Sequence, residues 1–294
     1  MKLGDFELTV FSDGTFALDG GQMFGVVPKP LWEKKLPADA RNRVRLALTC
    51  LLVGTGKHNI LIETGIGNKF DHKFVDIYDI EKSTTLPADL KKAGLRPEDI
   101  DIVINTHLHF DHCGWNTRRE GGKVIPTFPR ARYFVQAGEW EHASHPTERD
   151  RASYVSEFFR PAETQTELLE GNEEIIPGVR VEVFPGHTRD LQCVWIESEG
   201  QQACFVSDLI PTRAHLPRAW ITSFDLYPLE TLANKQRLLP QLVEQETLVI
   251  FPHDLEVPWA KLAEQDGRIV AWAVDSRWQR LRIADDGKRT THHG

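Results

Sequence analysis

Cysteine is scarce in this 294-residue chain: four residues, at 50, 113, 193 and 204, with no CxxC spacing among them. That scarcity argues against a disulfide framework or a thiolate zinc motif and suits a reducing, cytoplasmic setting. No apolar run reaches the ~18 residues that a membrane-spanning helix needs. The opening MKLGDFELTVFSDG alternates as a strand does and lacks a charged region followed by an apolar stretch, so no signal peptide is expected. The 35 Lys and Arg residues form no long basic run and are outnumbered by 43 acidic ones, giving a formal charge of −8. Neither a nucleic acid, whose binding rests largely on phosphate neutralisation, nor a membrane is an expected partner. Solenoid repeats and low-complexity tracts are absent as well.

What is present is ordinary globular material, 40% hydrophobic and 27% charged, enough for one large domain or two small ones. No stretch reads as a linker, so a single domain over 1–294 is expected. Short β-type runs recur, among them VRLALTCLLV, NILIET, DIDIVINT, VRVEVFPG, QACFVS and ETLVIFP. CVWIESEGQQACFVS reads as a hairpin turning at Glu199-Gly200, so part of the sheet should be antiparallel. Helices are expected at LPADLKKAGL, with Gly94 as a stop, at DRASYVSEFF, and at LETLANKQRLLPQLVEQ, kinked or broken near Pro240. The mixture predicts a layered α/β protein. Segments 19–42 and 65–83 read as loops that cover a site.

The chemistry concentrates in INTHLHFDHCGWN, where three histidines and an aspartate fall within His107 to His112. On a helix His107 and His109 would diverge by about 200°, but in an extended segment they face the same side. They follow the apolar run DIVIN, so a buried strand presents both imidazoles at its end, with Asp111 and His112 just beyond. The pattern recurs: VRVEVFPG ends in His187, QACFVS in Asp208 and TLVIFP in His253. Four strand ends thus deliver five histidines and two aspartates, enough for two metal sites of three or four ligands with positions left for water. Imidazole and carboxylate without thiolate suit zinc, iron, manganese or cobalt. His58, His72, His142, His145, His292 and His293 sit in polar surroundings and read as surface residues. Cys113 adjoins the cluster but reads as structural.

His107-x-His109-x-Asp111-His112 followed by His187, Asp208 and His253 resembles the metallo-β-lactamase superfamily, over nearly the whole chain. The resemblance implies an αββα four-layer sandwich of mixed sheets with a dinuclear centre at one edge. It implies that His107, His109 and His187 hold one metal, that Asp111, His112 and His253 hold the other, and that Asp208 bridges them, with Zn2+ expected. No cysteine stands where one lactamase subgroup places a ligand, which points away from antibiotic hydrolysis. Glu63 in LIETGIG replaces the Asp of the usual Asp-Thr-Gly and is expected to support the ligands from behind.

GQMFGVVPKPLW, SDLIPTRAHL and FDLYPLETLANKQRLLP are similar to the quorum-quenching N-acyl homoserine lactone lactonases and to methyl parathion hydrolases. These lactonases place a tyrosine three residues after the bridging aspartate. Here that position is Pro211, with His215 or Tyr227 as candidate replacements. The resemblance implies a hydroxide, generated between two metals, that attacks a lactone or ester carbonyl, and Asp111 is further expected to relay a proton to the leaving group. Phe24 and its neighbours in 19–42 are expected to wall the substrate pocket, to form a homodimer contact, or both. The alternatives are an organophosphate triester hydrolase, a glyoxalase II-like thioester hydrolase, and, outside enzymes, a metal-stabilised binding protein.

Overall fold

Alternation sorts each strand into two faces. In the computed structural model, which describes residues 1–274 and, as backbone alone, 280–283 and 289–291, Leu51, Val53, Ile60, Ile62, Ile102 and Ile104 join one apolar cluster. Their neighbours Cys50, Leu52, Leu61 and Val103 join another on the opposite side. His292 and His293 lie outside the described residues.

The first sheet contains β1 (Lys2–Leu3), β2 (Phe6–Asp19), β3 (Arg43–Gly54), β4 (Asn59–Ile62) and β5 (Ile102–Ile104). After a two-stranded ribbon, β6 (Thr117–Glu120) with β7 (Lys123–Pro126), it is completed by β8 (Arg132–Gln136) and β9 (Thr166–Leu169). Strands β4, β5, β8 and β9 pair in parallel, and the earlier ones pair antiparallel. The second sheet runs in chain order: β10 (Glu173–Ile176), β11 (Val179–Val183), β12 (Gln192–Ser198), β13 (Gln201–Phe205), β14 (Leu248–Ile250), β15 (Trp259–Gln265), β16 (Arg268–Val274), β17 (Arg280–Ile283) and β18 (Arg289–Thr291). Within it β13 and β14 are parallel. The helices are α1 (Gly20–Phe24), α2 (Lys29–Trp32), α3 (His72–Tyr78), α4 (Leu86–Lys92), α5 (Ala137–Ser144), α6 (Ser156–Phe159) and α7 (Pro228–Glu244).

The inner faces meet in one core, where Leu51, Ile62 and Ile104 of the first sheet join Val181, Val194, Phe205 and Ile250 of the second. On the outside, Leu86 and Leu90 of α4 pack on the first sheet, while Leu238, Leu239 and Leu242 of α7 pack on the second. Each such side chain contributes ~1.5–3 kcal/mol when fully buried, so the period-two pattern is what joins the layers. The fold is the expected αββα sandwich of mixed sheets. Among the described residues no helix is long and apolar enough to cross a membrane.

Local expectations fare unevenly. The β12–β13 hairpin turns at Glu199 and Gly200, both at positive φ, with Ser198 opposite Gln201. Helix α4 starts at the Thr85 cap, whose hydroxyl accepts from Ala88 N, and Gly94 follows at φ 78°. Two expectations need correction. The helix read over DRASYVSEFF survives only as α6, because Asp150 accepts a hydrogen bond from Thr147 Oγ1 and Ser153 O accepts one from Phe110 N, which holds 150–155 in turns. Helix α7 is not broken at Pro240. Pro240 and Gln236 both face solvent, so water serves the carbonyl that loses its donor.

Candidate metal centre

Strand direction builds the site. Strands β11 and β13 each pair antiparallel with β12 and so point the same way as each other, and β14 runs parallel to β13. Their carboxyl ends, and that of β5, deliver His187, Asp208, His253 and the His107–His112 segment to one edge of the sandwich. All seven residues are buried or nearly so. Two neighbours are held in the left-handed region, Glu63 at φ 62° and Ser207 at φ 51°, a conformation that costs a non-glycine residue energy and concentrates at functional sites.

The donor atoms form three groups, one of which, Glu63 with His107 and His112, shares a histidine with each of the other two. Those of His107, His109 and His187 lie within 4.8 Å of one another, as do those of Asp111, His112 and His253. Asp208 stands between them, with Oδ2 3.3 Å from His187 Nε2 and Oδ1 3.1 Å from His253 Nε2.

Outer partners fix which ring nitrogen faces inward. His187 Nδ1 donates to Asp225 Oδ1 at 3.0 Å, and His253 Nδ1 donates to Ala47 O at 2.8 Å. His107 Nδ1 lies 3.0 Å from Thr106 Oγ1, itself 2.5 Å from Ser207 Oγ. The first two bonds place a proton on Nδ1 and so turn Nε2 toward the centre. His109 is turned the other way, its Nδ1 3.1 Å from His187 Nε2. Glu63 Oε1 accepts from Thr106 N at 2.9 Å and lies 3.6 Å from His112 Nδ1, so the longer carboxylate does reach the back of the ligand cluster.

These donors fit divalent cations. His107 Nε2 and Asp208 Oδ1 are buried without a hydrogen-bond partner. His187 Nε2 faces His109 Nδ1 at 3.1 Å, and His253 Nε2 faces His112 Nε2 at 3.3 Å. Two nitrogens bonded at ~2.0–2.1 Å to one tetrahedral ion stand about 3.3–3.4 Å apart, so both separations suit a shared ion. Burial and the neighbouring histidines push His107 and His109 well below the ordinary imidazole value, which keeps their lone pairs free. Burial also disfavours charge on Asp208, but His253, His112 and His187 outweigh it and hold that carboxyl well below the usual range.

An open cleft leads to the centre, lined by Asp111, Asp208, His109, His187 and His253 on one side. Facing them are Leu18, Met23, Tyr78, Phe110, Thr222 and Phe224. Segments 19–42 and 65–83 each contribute to it, through Met23 and Tyr78. Three expected substrate contacts lie elsewhere. His215 is fully buried, stacked 4.7 Å from Phe24, with Nδ1 accepting from Thr212 Oγ1 at 2.8 Å and Nε2 donating to Met23 O at 2.8 Å. Phe24 is sandwiched between His215 and Trp32, so neither ring reaches the cleft. Tyr227 lies beneath the Arg189 guanidinium at the start of α7, outside the lining. Apolar content in 19–42 divides instead: Met23, Phe24 and Trp32 are buried, while Val26 is 92% and Leu31 52% exposed. Cys113 Sγ donates to the carbonyls of Leu108 and His109 and stands apart from the donor groups.

Sequence reasoning missed Tyr78, Thr222, Phe224 and Asp225. Tyr78 ends the short helix α3 inside a segment read as a loop, while Thr222, Phe224 and Asp225 sit on irregular chain with no periodic signal, and Asp225 meets His187 across 38 residues. A Thr-x-x-Asp spacing was the sole cue: Thr222 Oγ1 donates to Asp225 Oδ1 at 2.7 Å.

Residues 44–265 match the profile of the metallo-beta-lactamase superfamily. An N-acyl homoserine lactonase of Bacillus cereus is 28% identical over 227 residues, covering 73% of this chain and 84% of that protein. A probable metal-dependent hydrolase from Staphylococcus aureus is 33% identical, with a TM-score of 0.88 over 94% of this chain and 99% of its own. A dizinc quorum-quenching lactonase, solved in complex with a product N-hexanoyl-L-homoserine, shares the fold at a TM-score of 0.78 and 22% identity, over 94% and 96% of the two chains.

Proposed function

The chain belongs to the metallo-β-lactamase superfamily and is a metal-dependent ester hydrolase, and from that premise we propose that it opens N-acyl homoserine lactones at a dinuclear centre. The observation that carries this reading is the convergence of two three-residue donor groups on the two oxygens of Asp208. His107, His109 and His187 would hold one ion, Asp111, His112 and His253 the other, and Asp208 both. The imidazole and carboxylate set favours Zn2+ and accommodates manganese, cobalt or iron. Two such ions supply Lewis acidity and a water acidified toward neutral pH.

The chain's own residues do the rest. Asp225 and Ala47 O accept from the Nδ1 of His187 and His253 and turn Nε2 of each toward the centre, and Thr106 Oγ1 steadies the His107 ring. Leu18, Met23, Phe110 and Phe224 offer the acyl chain an apolar wall and exclude water from the reacting carbonyl. Tyr78 takes over from the tyrosine missing at Pro211. Burial and then the Asp111 carboxylate push its phenol up, so it stays a proton donor toward a substrate oxygen. Asp111, open to the cleft, relays a proton to the departing alkoxide. Pro211 has a different task, its carbonyl accepting from His253 N at 3.0 Å.

Charge narrows the substrate. Among the described residues the cleft lining holds no lysine or arginine, which favours a neutral lactone over a glutathione thioester carrying carboxylates. The test is kcat/KM of metal-loaded protein on a long-chain N-acyl homoserine lactone, a paraoxon-type triester and a glutathione thioester, with Asp208→Ala as the blank. A lactone value of ~10⁴ M⁻¹s⁻¹ or more, above the other two, is expected. An inert lactone beside a turned-over triester would reassign the enzyme to organophosphate hydrolysis.

A further inference from the structure

Outside the metal-donor groups, one carboxylate gathers an unusual number of partners. Asp13 is fully buried. Its Oδ2 accepts from Ile66 N at 3.0 Å, Gly67 N at 2.9 Å and Lys82 Nζ at 2.6 Å. Its Oδ1 accepts from Leu86 N at 3.0 Å and Trp115 Nε1 at 2.7 Å. The pairing of β2 with β3 slips between Ser12 and Thr15, and such a bulge re-aims a side chain out of the strand's alternation. The chain around it is shaped for contact. Gly65, at φ 65°, would bring a Cβ within 2.4 Å of Asp13 Cβ, and Thr15 exchanges both backbone hydrogen bonds with Glu81 at 2.9 Å.

Four of these five donors come from the two ends of one segment, Ile66 and Gly67 at its start and Lys82 and Leu86 at its close. Between them lie α3 and the Phe70, Phe74 and Tyr78 rings, where Phe70 stacks on Phe74, Phe74 leans on Tyr78, and Phe74 and Tyr78 pack edge-on or tilted against Phe110 at the cleft. The segment's tip is held by more exposed polar contacts, Arg41 to Asp76, Arg43 to the carbonyls of Asp76 and Ile77 and Arg45 to Asp79, and by partly buried packing of Phe74, Tyr78 and Ile80. One buried carboxylate, together with the Thr15–Glu81 backbone pair, thus closes a loop of about twenty residues that brings Tyr78 to the cleft.

We propose that Asp13 is a positioning residue for the reaction: its carboxylate clasps both ends of the 66–86 segment and thereby sets where Tyr78 and the aromatic wall stand over the centre. The kinetic half of this inference rests on the lactonase reading; the structural half does not. Substitution by Asn is informative, because either orientation of the amide turns its NH2 group onto at least two donors. Lys82→Ala removes one partner at the more accessible end and keeps the test open should Asp13→Asn fail to fold.

The experiment is hydrogen exchange by mass spectrometry on metal-loaded wild type, Asp13→Asn and Lys82→Ala, with lactone kinetics alongside. Peptides spanning 66–86 should exchange ~10-fold faster in both variants while peptides from β5 and β12–β14 stay within about twofold. KM for a long-chain lactone should rise ~10-fold with kcat changed less than about threefold, the signature of lost binding rather than lost chemistry. Unchanged protection of 66–86 in both variants, or exchange that rises equally everywhere, overturns the clasp. Faster exchange with unchanged KM and kcat overturns the positioning role. A wild type that leaves every lactone intact removes the proposed substrate, and the exchange data still decide the clasp.

Discussion

Replacing Asp225 with Asn should weaken one metal position and spare the other. Asp225 is buried and accepts three hydrogen bonds, from His187 Nδ1 at 3.0 Å, Thr222 Oγ1 at 2.7 Å and Thr231 Oγ1 at 2.5 Å. The amide keeps the volume but loses the charge that orients the imidazole and raises its basicity. Loss of such a partner typically costs ~10–100-fold in metal affinity, or about 1.4–2.7 kcal/mol. The loss should fall on the group of His107, His109 and His187, since Asp111, His112 and His253 draw their support from Glu63 and Ala47 O instead. Competition with a chromophoric chelator at fixed pH resolves the two affinities. One tight and one weakened position, with Glu63→Gln weakening the opposite one, is the expected pattern. Equal losses at both positions, or none, would refute the assignment of these outer partners.

Asp111→Asn should slow turnover by ~10²-fold or more, the scale of a lost proton relay, while elemental analysis still finds most of the metal; complete metal loss would leave Asp111 a ligand only. Burial pushes His215 down to about 4, against ~6.5 in the unfolded chain. Because the folded value is the lower one, its contribution is complete above pH ~6.5 and is lost as pH falls toward 4, by about 2–3 kcal/mol at pH 4.5. Urea unfolding should therefore show a flatter acid limb for His215→Gln than for wild type, and superimposable limbs would contradict the burial argument. Lys235 is fully buried and donates to the carbonyls of His215, Pro217 and Trp220 at 2.6, 3.0 and 2.8 Å. Lys235→Met leaves those carbonyls without their donor and should cost at least about 2 kcal/mol, read from the urea midpoint.

How far a residue could be read ahead followed how local its physics is. His107, His109, Asp111 and His112 stand within six positions behind an apolar strand, and a spacing of two in extended backbone already dictates a shared side. His187, Asp208 and His253 were legible for the same reason, each ending an apolar run, and the alternation of Leu51 with Leu52 or Ile102 with Val103 fixes the layers. Tyr78, Thr222 and Asp225 were not legible, because their places depend on long-range closure such as Ser223 N donating to Gln22 O at 2.7 Å. His215 misled for a related reason: a histidine near a bridging aspartate in sequence satisfies both ring nitrogens in the wall behind the cleft instead. The helix over DRASYVSEFF was overread because propensity ignores a carboxylate such as Asp150 that prefers side-chain partners.

In the proposed centre a pair of ions is held jointly through Asp208. The most direct measurement is the number of divalent ions retained per folded chain after exhaustive dialysis, by elemental analysis, for wild type and Asp208→Ala. Two ions in wild type and a loss that touches both positions in the variant is the predicted result. A folded wild-type chain that retains one ion, or an Asp208→Ala chain that keeps two with unchanged affinity, would contradict it.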